Sequence, residues 1–329
     1  MPIRVAVLGT GYWGKNILRN IDALGGLLAF YDSNSDTRDR FATEYPRAEV
    51  AIDVDHILNN PTIDAVAIAT PAATHGELTR RALAAGKHVF VEKPLCLDYS
   101  EALELGELAD TNRLVLMVGH LLLYHPAFLS LMDYVSRGKI GALRYIYSNR
   151  ASLGKIRREE NALWSFAPHD ISMVLALTRR MPNRVVCNGG AWLSPNVADT
   201  TLSHFDFGDG LQAHIFVSWL HPFKDHRLVV IGETGMLVFN DTVNGDEKVM
   251  HYGHTVGWNG DIPVLDRAEG NPVAYREQEP LKLEMEHFLE CCRSRARPRS
   301  DANEGARVLA VLDLCQKALL SGTAEQWNG

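Results

Sequence analysis

Cysteines, long apolar runs and an excess of basic residues are scarce or missing in this 329-residue sequence, and each shortage excludes a class of protein. The five cysteines are odd in number and contain no Cys-x-x-Cys pair, so we predict reduced thiols in a cytoplasmic protein rather than a disulfide framework. No apolar stretch approaches the ~20 residues that span a membrane, and the first residues do not resemble a signal peptide. With 33 Lys and Arg against 40 Asp and Glu, the formal charge of −7 argues against nucleic acid as a partner. The 13 histidines are scattered, and no metal site is predicted.

The first 120 residues alternate short apolar runs with helical patterns. Runs such as Ile3–Leu8 and Ala65–Ala69 predict buried strands, whereas Gly14–Leu24 has the apolar spacing of a helix. A further helix is predicted at Ser100–Asn112, with Ser100 as its N-cap. This alternation predicts an α/β fold, a doubly wound parallel sheet of the Rossmann type, over residues 1–120.

The pattern changes after residue 120, where several strands follow one another. The predicted strands of this part are Leu143–Asn149, Arg184–Ala191, Thr200–Phe207, Leu211–Trp219, Leu228–Ile231 and Met236–Phe239. The predicted helices are Ala127–Arg137, His169–Thr178, Leu281–Cys292 and Asn303–Leu320. Residues 121–329 are therefore predicted to form an α+β domain on a large, mostly antiparallel, open-faced sheet. The polar segment Val243–Glu279, rich in Gly and Pro, is predicted to be irregular.

A Gly-x-Gly-x-x-Gly motif, Gly9-Thr10-Gly11-Tyr12-Trp13-Gly14, follows the first predicted strand and opens the first predicted helix. In this setting the glycines let the backbone approach a pyrophosphate, which the helix N-terminus attracts. Asp32 ends the second strand, where a carboxylate would bond the adenine ribose, and neutral Ser33 follows it. The motif predicts a dinucleotide site, and Asp32 favours NAD over NADP because a carboxylate repels a 2′-phosphate.

Three further motifs resemble one known family. They are Ala69-Thr70-Pro71 followed by His75, Glu92-Lys93-Pro94 at the end of a predicted strand, and Gly119-His120. Together with the glycine motif they resemble the glucose–fructose oxidoreductase/inositol dehydrogenase/MocA (Gfo/Idh/MocA) family over essentially the whole chain. The resemblance implies that Lys93 is catalytic and that the cofactor is contacted by Tyr12, Trp13, Ser33, Thr70, Pro71, His75, Glu92, Lys93 and His120.

The same family has an Asp-x-x-x-His pair at the start of a helix in its second domain. The matching stretch here runs from Ser165 to His169, with Pro168 predicted at the start of the helix. Ser165 therefore stands where many members have the Asp, and the resemblance assigns the role of base to His169. The alternative is a helix-cap or core histidine. A neutral imidazole can accept the hydroxyl proton, and the Lys93 ammonium can stabilise the developing alkoxide.

A narrower resemblance concerns the substrate. Tyr147–Arg150, Gly154–Asn161 and Trp164–Asp170 are similar to the nucleotide-sugar 3-dehydrogenases of the family. This implies oxidation of the 3-hydroxyl of UDP-N-acetylglucosamine and a partner aminotransferase that uses pyridoxal phosphate, in 3-amino-sugar synthesis for lipid A or lipopolysaccharide. Local charge agrees, because residues 144–180 hold seven basic residues, one of them Lys155, against three acidic ones. The candidate substrate residues are Lys93, Tyr124, Arg157, Arg158, Ser165, His169, Lys224 and Arg227.

Several alternatives stay open at this point. Arg157 and Arg158 could instead pair with acids or face solvent, Lys224 and Arg227 are more typical of a charged strand end, and Tyr124 could simply pack. The enzyme could act on the uronate form of the nucleotide sugar, UDP-N-acetylglucosaminuronate, or on a free sugar or cyclitol, and a non-catalytic NAD-binding regulator is the third possibility. The resemblance also implies a homo-dimer or homo-tetramer, in which a partner subunit covers an exposed sheet face.

Overall fold

The computed structural model describes residues 2–154 and 156–327, and these form two compact units. The first unit combines the chain up to Tyr124 with Glu279–Leu309, and the second combines His125–Gln278 with the chain from Ala310 on. The prediction assigned everything after residue 120 to the second domain, but the segment Glu279–Leu309 belongs to the first unit. Lys155, one of the basic residues counted above, lies outside the described residues.

The first unit contains a six-stranded parallel sheet with helices between its strands. Its strands are β1 (Val5–Leu8), β2 (Leu27–Tyr31), β3 (Glu49–Val50), β4 (Ala65–Ile68), β5 (His88–Glu92) and β6 (Leu116–Gly119). Its first helices are α1 (Gly14–Ala23), α2 (Ser35–Glu44), α3 (Val54–Leu58), α4 (His75–Ala84) and α5 (Tyr99–Thr111). The strand order β3-β2-β1-β4-β5-β6 is that of a Rossmann sheet, so the predicted fold of this part is confirmed.

The second unit is built on a nine-stranded, mostly antiparallel sheet with strand order β16-β13-β12-β11-β7-β10-β9-β8-β17, as predicted for an α+β domain. Its first elements are α6 (Pro126–Ser136), β7 (Leu143–Ala151), α7 (Ala162–Thr178), β8 (Arg184–Gly190), β9 (Thr200–Asp206), β10 (Gln212–Ser218), β11 (Asp225–Gly232) and β12 (Met236–Asn240). They are followed by β13 (Val249–Tyr252), β14 (Thr255–Asn259), β15 (Ile262–Asp266) and β16 (Gly270–Pro272). Strands β14 and β15 pair with each other in a separate two-stranded sheet.

Three elements complete the chain: α8 (Pro280–Ser294), α9 (Ala302–Ser321) and β17 (Glu325–Gln326). Helix α8 belongs to the first unit because its apolar side packs there; the rings of Phe288 and Phe90 lie 5.8 Å apart. Helix α9 begins in the first unit and ends in the second, with the division between Leu309 and Ala310. Within residues 2–154 and 156–327, none of the helices has the length and apolar content needed to cross a membrane.

Several local predictions are wrong. The N-cap of α5 is Asp98, whose side chain accepts from the N–H of Glu101, while Ser100 donates to that same carboxylate. Pro168 lies inside α7 rather than at its start, because Asn161 caps the helix seven residues earlier through the N–H of Trp164. The segment Val243–Glu279 is not irregular, since it contains β13 to β16. The short helix α3 was not predicted.

Candidate active site

The glycine motif forms the turn between β1 and α1. A Cβ at Gly9, whose φ is +84°, would lie 2.8 Å from the carbonyl oxygen of Ala69, and one at Gly14 would lie 2.0 Å from that of Gly9. The fold itself therefore requires both glycines. A Cβ at Gly11, by contrast, would meet no described atom within 4 Å.

The space in front of Gly11 is matched by the start of α1. No side chain among the described residues caps the N-terminus of this helix, and its first turn carries no acidic residue. Uncapped N–H groups and the positive end of the helix dipole attract an anion, and a Cβ at Gly11 would occupy the space it needs. The turn therefore fits the pyrophosphate of a dinucleotide.

Asp32 follows β2 and is fixed by backbone donors. Its carboxylate accepts hydrogen bonds from the N–H of Thr10 at 2.7 Å and from that of Asn34 at 3.0 Å. Asp32 is half-buried and Ser33 is exposed. Arg38, the arginine nearest to Asp32 in the sequence, donates to the backbone carbonyl of Asp32 at 2.6 Å, so its guanidinium lies beside this residue.

The other predicted cofactor residues also follow the carboxyl ends of parallel strands, where such sheets bind ligands. Thr70 and Pro71 come just after β4, and the buried His75 ties the two neighbouring strand ends together. One ring nitrogen of His75 lies 2.7 Å from the Pro94 carbonyl oxygen and the other 2.9 Å from that of Thr70, and burial lowers the pKa of the imidazole. His120, just after β6, is buried against the carboxylate of Glu304.

Glu92 and Lys93 lie at the end of β5. The indole N–H of Trp13, from the glycine motif, donates to one oxygen of the Glu92 carboxylate, and the N–H of Lys93 lies 3.3 Å from the other. Burial raises the pKa of Glu92 to about 7, although the Trp13 hydrogen bond and the Lys93 charge oppose this shift. Tyr12 and Trp13 keep exposed fractions of 83% and 37%, large values for aromatic residues.

A second carboxyl of the first unit, Glu284 on α8, is completely buried. Neither of its oxygens has a hydrogen-bond partner among the described residues. Burial raises the pKa of Glu284 well above its usual range, and the charge of Glu92 adds to the shift. Both effects favour the protonated form of Glu284, and no sequence motif pointed to this residue.

In the second unit, His169 is half-buried on α7 and precedes the fully buried Asp170. The Asp170 carboxylate accepts from Nε of Arg150 at 2.6 Å and from Oγ of Ser148 at 2.6 Å, both on β7. Because this network is buried, it fixes α7 against β7 at the residue next to His169. Burial and the Arg150 charge lower the pKa of His226, the next residue in this network, to about 3.

The predicted substrate residues have varied surroundings. Tyr124 is buried in the first unit, where its hydroxyl bonds Ser300 at 2.9 Å. Arg157 pairs with Glu160 at 3.1 Å, whereas Arg158 and Lys224 are exposed. Arg227 pairs with Asp225 on the opposite sheet face from Arg150 and α7. Ser165 is buried on α7, one helical turn before His169.

Comparisons with known proteins agree with this arrangement. Residues 3–120 match the model of the Gfo/Idh/MocA oxidoreductase family, NAD-binding Rossmann fold, and residues 128–238 match the Gfo/Idh/MocA C-terminal domain. UDP-N-acetylglucosamine 3-dehydrogenase from Acidithiobacillus ferrooxidans is 28% identical over 94% of this chain and 95% of its own. The NAD-dependent scyllo-inositol 2-dehydrogenase from Bacillus subtilis is 25% identical over 90% of this chain and 88% of its own.

Solved structures give the same picture. The Acidithiobacillus ferrooxidans 3-dehydrogenase superposes with a TM-score of 0.85 at 26% identity, over 98% of both chains. A putative oxidoreductase from Magnetospirillum magnetotacticum is 32% identical over 96% of this chain and all of its own, with a TM-score of 0.83. With both domain models matched and the strand ends arranged for a dinucleotide, the chain belongs to the Gfo/Idh/MocA family of NAD-binding oxidoreductases.

Proposed function

We propose that the protein is an NAD-dependent dehydrogenase that oxidises the 3-hydroxyl of UDP-N-acetylglucosamine. The observation that carries this proposal is the similarity to the Acidithiobacillus ferrooxidans enzyme, which extends over 94% of this chain and into the structure at a TM-score of 0.85. The exposed Arg158 and Arg179 of the basic segment 144–180 support it, since a diphosphate needs cationic partners and a neutral cyclitol does not.

Two residues, His169 and Lys93, carry the proposed chemistry. His169 accepts the proton of the substrate hydroxyl, because a neutral imidazole has a suitable pKa for this step. The ammonium of Lys93 donates a hydrogen bond to the same oxygen and stabilises the negative charge that develops on it. The nicotinamide cofactor, when bound, accepts the hydride from carbon. Ser165, where many members have Asp, would leave His169 as the single base of this pair.

NAD is the proposed cofactor because the Asp32 carboxylate faces the site of a ribose hydroxyl and repels a 2′-phosphate. Glu92 and Trp13 would contact the nicotinamide half, since Glu92 ends the strand that precedes Lys93 and the Trp13 indole donates to its carboxylate. Arg38 favours the opposite choice, because a guanidinium beside the ribose site can bind a phosphate. Asp32 decides for NAD in this proposal because its carboxylate is held by two backbone N–H groups, whereas Arg38 is engaged by a carbonyl.

The product of this reaction is a 3-keto sugar, which an aminotransferase would consume in 3-amino-sugar synthesis. We also propose a homo-oligomer. The side chains of Ile146, Ser148 and Arg150 face α7, so the alternate residues of β7, Tyr145 and Tyr147, lie on the other face of the sheet. That open face also carries Phe216 and the 47% exposed Leu202, and a partner subunit would cover it.

The test is an assay at 340 nm. The purified protein is incubated with NAD and UDP-N-acetylglucosamine, UDP-N-acetylglucosaminuronate or myo-inositol. A 3-keto-sugar aminotransferase with its amino donor is included to draw the reaction forward. We expect NADH with the nucleotide sugar and at least a hundredfold loss of rate in Lys93→Met and His169→Asn, but not in Lys139→Met, an exposed control. NADH with myo-inositol alone would assign the protein to the cyclitol dehydrogenases, and NADH with none of the three would refute the proposal.

A further inference from the structure

The ribbon formed by β14 and β15 is an isolated feature of the second unit. The two strands pair from Thr255, which lies opposite Asp266, to Asn259, which lies opposite Ile262. They belong to a sheet of their own. All ten strand residues are exposed. A two-stranded ribbon is marginally stable in water unless another surface packs on it. The ribbon therefore needs a covering surface.

One face of the ribbon is entirely apolar. Residues directly opposite in an antiparallel pair share a face, so Val256 and Leu265 lie on the same face as Trp258 and Pro263. The exposed fractions are 58% for Val256, 69% for Trp258 and 60% for Leu265. Contiguous apolar patches of this kind mark contact surfaces on soluble proteins, and tryptophan is the residue most enriched at their energetic centres. The apolar face of the ribbon is thus built for contact.

The charge of the ribbon indicates which kind of partner it can contact. Its two ionisable residues, Asp261 at the turn and Asp266 at the base, are both acidic, and it contains no Lys or Arg. An acidic ribbon is repelled by anionic lipid surfaces, which attract basic amphipathic segments instead. A protein partner is therefore favoured over a membrane.

The area needed points to a second copy of this chain. A stable interface buries about 800 Å² on each partner, more than four side chains of a ribbon provide. The same unit carries a second uncovered apolar surface, the open face of the nine-stranded sheet with Tyr145, Tyr147 and Leu202. A symmetric pair of chains in which each ribbon docks on the open sheet face of the other would cover both surfaces. We propose that the β14–β15 ribbon is a clasp that docks its apolar face on a second copy of the chain. This inference rests on the proposed homo-oligomer and goes beyond it by assigning the contact.

The test measures the oligomeric state of the full-length protein by sedimentation equilibrium and light scattering over a range of concentrations. The variants are Trp258→Thr and the triple variant V256T/W258T/L265T, since threonine keeps the strand propensity. Trp192→Thr is the matched control, because Trp192 has the same 69% exposure but lies outside the ribbon. We expect the dissociation constant of the oligomer to rise at least tenfold in Trp258→Thr and at least a hundredfold in the triple variant, with Trp192→Thr within twofold of wild type.

The outcomes separate the clasp from the oligomer. A wild-type protein that is monomeric at all concentrations overturns both. A wild-type oligomer that the triple variant leaves unchanged, or that Trp192→Thr weakens as much as Trp258→Thr, overturns the clasp alone. Trp258-dependent sedimentation of the wild type with phosphatidylcholine–phosphatidylglycerol vesicles also overturns it. Unchanged circular dichroism of the variants shows that any dissociation is not caused by unfolding, as expected for side chains this exposed.

Discussion

Glu92 and Asp170 are carboxylates next to the two residues proposed to act on the substrate, and their surroundings are opposite. Asp170 follows His169 and is saturated, with Arg150 and Ser148 both within 2.6 Å. Glu92 precedes Lys93 and has an indole N–H and a long contact to a backbone N–H. Burial raises the pKa of Glu92 to about 7.

The comparison separates two kinds of acid, the fully buried Asp170 and the half-buried Glu92. A carboxylate with a bidentate guanidinium partner holds two elements together and has little capacity left for a ligand. A carboxylate at the end of a parallel strand that has no cationic hydrogen-bond donor keeps acceptor capacity for an incoming hydroxyl group. In this protein the second unit uses its acid to fix the helix that carries His169, and the first unit keeps its acid available beside Lys93.

The largest expected effect comes from breaking the buried ion pair between Arg150 and Asp170. Arg150→Met leaves the Asp170 carboxylate buried without its cation, which typically costs about 3–5 kcal/mol in the free energy of unfolding. Urea denaturation measures the loss. Arg227→Met is the matched control on the neighbouring strand, since its pair with Asp225 leaves the Arg227 side chain 45% exposed and should contribute at most about 1 kcal/mol. Equal losses in the two variants would show that Asp170 is not held as described.

An intermediate effect on the free energy of unfolding is expected from the titration of Glu92. With a pKa of about 7 in the folded protein and 4.5 in the unfolded chain, Glu92 is protonated in both states below pH 4.5. As the pH rises from 4.5 to 7 the unfolded chain loses its proton first, so this group lowers the free energy of unfolding across that window and keeps it lower above pH 7. Relative to Glu92→Gln, which cannot titrate, the wild type should lose about 1–3 kcal/mol between pH 4.5 and 8.

Urea denaturation at pH 4.5, 6 and 8 checks this difference, because the other titrating groups cancel between wild type and variant. Glu44→Gln, an exposed residue of the same unit, is the control and should show no such trend. A stability difference between wild type and Glu92→Gln that stays constant with pH would contradict the raised pKa.

The sequence predicted the parallel sheet and the positions of its strands well, because continuous apolar runs and a glycine motif are local signals. It placed Asp32, Glu92 and Lys93 at one edge for the same reason. It did not predict the surroundings of these groups. The Arg150–Asp170 pair joins residues 20 apart on a strand and a helix, and the His120–Glu304 contact joins residues 184 apart, so neither has a local pattern.

The prediction that Val243–Glu279 is irregular was wrong for a different reason. Its glycines and prolines are typical of loops, but four short strands need few residues each, and Gly270 and Pro272 lie within one of them. The position of α8 also has no local signal, since its apolar side is equally compatible with either unit. Helix packing was decided by distant partners such as Phe90.

The smallest expected effect is that of Gly11→Ala. This variant tests whether the turn after β1 leaves space for a cofactor. Gly11→Ala adds a Cβ that meets no described atom within 4 Å, so the free energy of unfolding should stay the same or rise by up to about 1 kcal/mol. The dissociation constant for NAD, measured by calorimetry, should rise about tenfold, equivalent to about 1.4 kcal/mol, because the methyl occupies the pyrophosphate space.

Gly14→Ala provides the contrast for this measurement. Its Cβ would lie 2.0 Å from a backbone oxygen, so it should destabilise the protein itself. If Gly11→Ala destabilised the fold as Gly14→Ala does, or bound NAD as wild type does, the turn would have a purely structural role.

The late position of the segment Glu279–Leu309 has a consequence for how the protein folds during synthesis. The first unit takes Glu279–Leu309 from late in the chain, so the ribosome must synthesise nearly all of the second unit before the first can be completed. Synthesis adds about 5–20 residues per second, so roughly 10–30 s pass between the early strands and α8. During this time the side of the sheet that carries Phe90 is not yet covered by α8. Nascent chains in this interval are the species most exposed to chaperones and to aggregation.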